Sequence, residues 1–127
     1  MARVFLVEDD DQVRTMLRIT LEREGYEVDD APDGKAALRK VRSGPKPDVV
    51  ITDIMMPDQD GLGTIMDLRR EFPETGIIAI SGGGSVVRHN YLDHARLLGA
   101  SFTFAKPVER KKLLAAVGEL LSGDKVR

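Results

Sequence analysis

The sequence contains no cysteine. That excludes disulfides, thiolate metal sites and cysteine nucleophiles, and it suits a reducing, cytoplasmic setting. No apolar run approaches the roughly 18–20 residues that a membrane helix needs. The apolar stretch Val4–Val7 is cut off by Glu8-Asp9-Asp10-Asp11, too short and too acidic for a signal peptide. No large excess of one charge exists either. A net charge of −2 gives no global attraction to nucleic acid or anionic membrane. Internal repeats and low-complexity stretches are also lacking.

What is present is ordinary for a soluble globular domain: 127 residues, 42% hydrophobic and 31% charged. That length supports one domain with a substantial core. Residues 1–122 form the expected domain, and 123–127 an expected flexible tail.

Strand and helix patterns alternate five times. Val4–Val7 is a short buried strand, with Asp11 as the expected cap of the next helix. Val13, Met16, Leu17 and Leu21 give that helix one apolar stripe, and Gly25 ends it. A weaker strand over 26–30 and a short helix over 33–43 follow. Asp48–Thr52 is continuously apolar enough to be central. A turn-rich loop leads to a helix with Leu62, Ile65, Met66 and Leu68. Ile77–Ile80 is the fourth strand, and Ser85 the expected cap of a helix carrying Val87, Tyr91, Ala95 and Leu98. Residues 101–105 form the fifth strand, before a last helix with Leu113, Leu114, Val117 and Leu121. Alternating units of this kind imply right-handed crossovers and a parallel sheet. Five are too few for a closed eight-stranded barrel. The expected fold is therefore α/β: a five-stranded parallel sheet, doubly wound (βα)5, of order 2-1-3-4-5.

In such sheets ligands bind beyond the carboxyl ends of the strands, where the strand order reverses. Strand one ends in Glu8-Asp9, strand three in Asp53, strand four in Ser81 and strand five in Lys106. All fall on one sheet edge. Converging carboxylates must take up protons or bind a cation. An all-oxygen donor set selects a hard cation such as Mg²⁺. Asp9 and Asp53 are assigned as direct ligands and Glu8 as a ligand through water. Glu8–Asp11 taken alone is equally a solvated acidic turn. A metal does not account for Lys106, whereas a dianionic phosphoryl group does. Phosphoryl transfer needs a carboxylate nucleophile, a metal, a cation for the phosphoryl oxygens and a hydroxyl donor. Asp53 suits the first task, Lys106 the third and Ser81 the fourth. Taken singly, Ser81 reads as a turn serine and Lys106 as a surface lysine.

Phe5–Asp10, Ile51–Gly61, Ile80-Ser81-Gly82 and Ala105-Lys106-Pro107 resemble the signature segments of response regulator receiver domains of two-component signalling. The resemblance, which extends to single-domain chemotaxis-type regulators, covers residue 3 to about 121. It implies a flavodoxin-like fold. It further implies that Asp53 accepts a phosphoryl group from a sensor histidine kinase or phosphotransfer protein. The backbone carbonyl of Met55 would be the third protein ligand of Mg²⁺, for which Mn²⁺ or Ca²⁺ could substitute. The Lys106-Pro107 bond would be cis. Such a domain is not an ordinary enzyme, but it catalyses its own phosphorylation and dephosphorylation.

Three departures stand out. Thr103 holds the position of the family's aromatic switch residue, with Phe102 and Phe104 turned to the other side. Gly82-Gly83-Gly84 makes an unusually flexible loop without the Lys-Ser/Thr of a phosphate-binding P-loop. Met55 and Gly83 replace residues that are often polar, so the phosphoryl lifetime is expected to differ.

With no effector segment after the last helix, output is expected through protein contacts, as a monomer or a phosphorylation-dependent dimer, without membrane or direct nucleic-acid binding. Ile19, beside Thr15, Arg18 and Glu22, is a candidate kinase-docking position. Val86, Asn90, Asp93 and Leu97 form a second outward stripe. His89 and His94 share no helix face and read as surface residues. Two other functions compete: a Mg²⁺-dependent aspartate-nucleophile phosphatase and a phosphorylation-independent interaction module. The first ordinarily carries a second aspartate where this chain has Met55, and the intact acid set weighs against the second.

Overall fold

The computed structural model describes residues 2–56, 59–82 and 85–122, and for 55–56, 59–60 and 85–91 the backbone alone. Expectations placed on the tail, on Gly83 and Gly84, and on the side chains of Met55, Val86, Val87, His89, Asn90 and Tyr91 fall outside the described residues.

Five strands form one parallel sheet: β1 (Arg3–Val7), β2 (Glu27–Ala31), β3 (Val49–Asp53), β4 (Gly76–Ser81) and β5 (Phe102–Ala105). Their order is β2-β1-β3-β4-β5, as the alternating pattern requires. Five helices complete the units: α1 (Asp11–Arg23), α2 (Gly34–Ser43), α3 (Gly61–Glu71), α4 (Ser85–Leu98) and α5 (Arg110–Leu121). A two-residue antiparallel ribbon, Met55–Met56 with Gln59–Asp60, lies between β3 and α3.

Successive strand side chains point to opposite faces, so each strand feeds two cores. Phe5, Val7, Val50, Ile77 and Ala79 meet α2, α3 and α4 on one face. Val4, Leu6, Ile51, Ile78 and Ile80 meet α1 and α5 on the other. β3, buried at every position, is flanked on both sides by β1 and β4. The apolar demand of the fold is thereby met away from the strand ends, which are free to carry charge.

Several local expectations are corrected. Asp10, not Asp11, caps α1: its extended backbone lets Oδ1 accept from the amides of Gln12 and Val13. Asp11 is instead the first helical residue. The buried stripe of α1 narrows to Leu17 and Leu21, with Val13 partly buried, because Met16 faces outward beside Pro107 and Val108. Met66 is likewise exposed, leaving Ile65 and Leu68 to fill the α3 contact. α4 starts at Ser85 itself rather than after it. Gly25 follows the end of α1 with φ 93°, as expected.

Candidate functional site

The register sets the site. β1, β3, β4 and β5 run in parallel and end side by side, so the residues that follow them share one edge. Ile54 donates its amide to Ile80 O (2.9 Å), and Lys106 donates its amide to Ser81 O (2.9 Å). These two bonds lock the ends of β3, β4 and β5 together and bring Asp53, Ser81 and Lys106 into one row.

The acids do converge. Oxygen atoms of Glu8, Asp9 and Asp53 lie within 4.8 Å of one another. Glu8 and Asp53 are buried, whereas Asp9 is exposed. Lys106 Nζ bridges the buried pair, 2.7 Å from Asp53 Oδ2 and 2.9 Å from Glu8 Oε1. Burial pushes the Glu8 carboxyl up from its ordinary value, against the lowering influence of Lys106 and the Asp10 amide. Burial also works against the Lys106 ammonium, but hydrogen bonds to Asp53 and Glu8 outweigh it and raise Lys106 above the ordinary lysine value.

Glu8 does more than the acidic pattern suggests. Its Oε1 meets Lys106 and its Oε2 accepts from the Asp10 amide at 3.0 Å, so the protein engages both oxygens. Gly82 makes room for the lysine: a Cβ there would stand 3.0 Å from Lys106 Cδ. The Lys106-Pro107 peptide is cis. Ser81 Oγ is fully buried with no hydrogen-bond partner among the described residues. An orphaned buried hydroxyl costs stability, and it suits a group that receives its partner from a ligand.

Thr103 lies on the α4 side of β5, where Arg96 of α4 donates to its Oγ1 at 2.9 Å. Phe102 and Phe104 pack on the opposite side, as the alternation requires. His94 is exposed on α4. Of the residues read from the strand ends, the structure brings the side chains of Glu8, Asp9, Asp53 and Lys106 together, and joins Ser81 to the lysine through its backbone carbonyl. The reading by strand ends misses Arg14, which donates to the backbone carbonyl of Glu8 at 2.8 Å. Its one signal is a basic residue in the first turn of the helix that follows the acids.

The acid cluster bridged by a lysine thus lies at the carboxyl edge of an open parallel sheet, where the strand order reverses and such sheets bind ligands. The chain belongs to the response regulator receiver domain family, whose model matches residues 4–118. The response regulator MprA of Mycolicibacterium vanbaalenii is 38% identical over 120 residues, which is 94% of this chain and 50% of that protein. The sensor kinase CckA of Brucella abortus is 35% identical over 124 residues, covering 94% of this chain and 12% of that protein. The chain thus spans about half the length of the MprA relatives. Among solved structures, the receiver domain protein from Clostridium thermocellum superposes with a TM-score of 0.89 at 25% identity, covering 99% of this chain and 98% of that one. The response regulator TrrA from Thermotoga maritima, solved in complex with Mg²⁺–BeF, gives 0.82 at 33% identity, covering 95% of this chain and 100% of that one.

Proposed function

We propose that this chain is a phosphoacceptor switch in which Asp53 takes a phosphoryl group from a phosphohistidine of a sensor kinase or phosphotransfer protein. The observation that carries this reading is one ammonium shared by two buried carboxylates, Lys106 between Asp53 and Glu8. Such a cluster is over-supplied with negative charge, and the excess suits a divalent cation.

In the transfer, a carboxylate oxygen of Asp53 forms the new P–O bond as the P–N bond of the donor breaks. The electron pair stays on the departing imidazole nitrogen, which takes a proton. Lys106 moves its pairing from the Asp53 carboxylate to the phosphoryl oxygens, and the Ser81 hydroxyl donates to one of them. Asp9, Asp53 and the carbonyl of Met55 would hold Mg²⁺, or Mn²⁺ or Ca²⁺ in its place, with Glu8 acting through water. When bound, the cation neutralises charge on the phosphoryl oxygens. Water later attacks the phosphorus, the P–O bond to Asp53 breaks, inorganic phosphate leaves with the water's oxygen, and Asp53 returns to its carboxylate.

The exposed apolar residues of α1, Met16 at 60% and Ile19 at 44%, suit a docking face for the phosphodonor. Leu97 of α4, 83% exposed beside Asp93, suits a second face for a downstream protein or another copy.

Incubation with acetyl phosphate and Mg²⁺ tests the reading by intact mass. The expected result is a gain of one phosphoryl group that is lost with EDTA and in Asp53→Asn. Sustained turnover of p-nitrophenyl phosphate would favour the phosphatase. No uptake with either reagent would leave the interaction module.

A further inference from the structure

Arg14 stands outside the row of acids and lysine, yet it grips the chain between two of them. Its Nη1 donates to Glu8 O at 2.8 Å. Its Nη2 pairs with Asp11 Oδ1 at 2.6 Å, and its Nε lies 3.8 Å from Asp30 Oδ1. The Arg14 side chain is 18% exposed and its bond to Glu8 O is part-buried, so that charge-assisted contact is only partly screened by water, whereas the Asp11 pair is exposed. Glu8 O and the amide of Asp9 belong to one planar peptide. Holding that oxygen sets the direction in which Asp9 leaves the end of β1. The other anchors of the loop act elsewhere: Glu8 N donates to Ala31 O, and Asp10 N donates to Glu8 Oε2. Asp9 itself is exposed, and its place depends on the peptide that carries it.

We propose that Arg14 is a positioning residue for the cation site: it fixes the Glu8–Asp9 peptide so that the Asp9 carboxylate stays beside Asp53. This rests on the reading of Asp9 as a cation ligand. Arg18 supplies the control. One turn further along α1, it pairs with the same Asp30 at 2.9 Å, with Glu22 at 3.1 Å and with Val28 O at 2.8 Å. It therefore ties α1 to β2 at least as firmly, and no described bond joins it to the Glu8–Asp9 peptide.

The test is a Mg²⁺ titration followed by the amide resonances of Asp9 and Asp53, with thermal melting of each variant without Mg²⁺ alongside. Arg14→Met is expected to raise the Mg²⁺ Kd about tenfold, the scale on which ligand-orienting contacts act. Arg14→Lys, which keeps a donor for Glu8 O, is expected to recover most of that loss. Arg18→Met is expected to lower the melting temperature at least as much while leaving the Kd unchanged. An unchanged Kd in Arg14→Met, or an equal rise in Arg18→Met, would overturn the proposal while leaving the cation site standing. Failure of the unaltered protein to bind Mg²⁺ would overturn both.

Discussion

At the scale of single residues, the site couples folding to charge. Lys106 offsets two buried acids, so its removal leaves them facing each other. Lys106→Met is expected to destabilise the fold by about 2 kcal/mol at pH 7, less than the roughly 3–5 kcal/mol for breaking a fully buried ion pair, because the lysine itself is partly exposed. The pH dependence follows from the directions of the shifts. Glu8 has a raised folded pKa, so the folded state holds its proton more tightly than the unfolded chain. Its contribution is fully present below the ordinary carboxylate value and is lost as pH rises through the folded one. Lys106, also raised, loses its contribution only in the alkaline range. Without Lys106, Glu8 shifts further upward, and acid relieves the defect. Urea melts at pH 7 and pH 5 should show the gap between Lys106→Met and the unaltered protein narrowing at pH 5; an equal or wider gap contradicts the assignment. Ser81 separates stability from function. Because its hydroxyl is buried without a partner among the described residues, Ser81→Ala should leave the urea midpoint unchanged or raised, while phosphoryl uptake from acetyl phosphate slows severalfold. A large destabilisation would mean that the hydroxyl already serves the resting fold. Asp53, Ser81 and Lys106 were legible because each directly follows an apolar run. The double engagement of Glu8 and the grip of Arg14 were not, because they depend on contacts between β1, α1 and β5 that no local pattern encodes.

At the scale of elements, the positions of helix starts decide how the loops around the site are held. Gly61 opens α3 directly against the backbone that follows β3. A Cβ there would lie 2.3 Å from Ile54 Cα and 2.8 Å from Ile54 O. No rotamer change relieves a clash with backbone, so Gly61→Ala should cost about 2–3 kcal/mol in urea denaturation. A change below about 0.5 kcal/mol would show that α3 is free to shift. Strand and helix identities were legible from periodicity, and β3 was marked as central by its unbroken apolar run. Helix faces were less so. Met16 and Met66 fit the spacing of a buried stripe, but α1 and α3 lie on the sheet along narrower seams, and both side chains face outward. Asp10 and Asp11 are equally good caps by composition, and only backbone geometry selects Asp10. The bond from Arg96 to Thr103 joins α4 to β5. A polar latch there was not foreseeable, because Arg96 and Thr103 belong to different elements.

At the scale of the whole molecule, the doubly wound order separates what folds the chain from what reacts. Two apolar cores flank the sheet, and the charged groups collect at its carboxyl edge. Among the described residues no helix is long and apolar enough to cross a membrane. This division explains how so many acids can gather in one place: their repulsion is borne by loops and strand ends rather than by the cores. The central claim is that the gathered edge directs a phosphoryl group to one carboxylate. The most direct test is to phosphorylate the protein with acetyl phosphate and Mg²⁺, reduce the acyl phosphate with borohydride and map the resulting homoserine by peptide mass spectrometry. The account predicts modification of Asp53 alone. Homoserine at Asp9 or any other acid, with Asp53 intact, would contradict it.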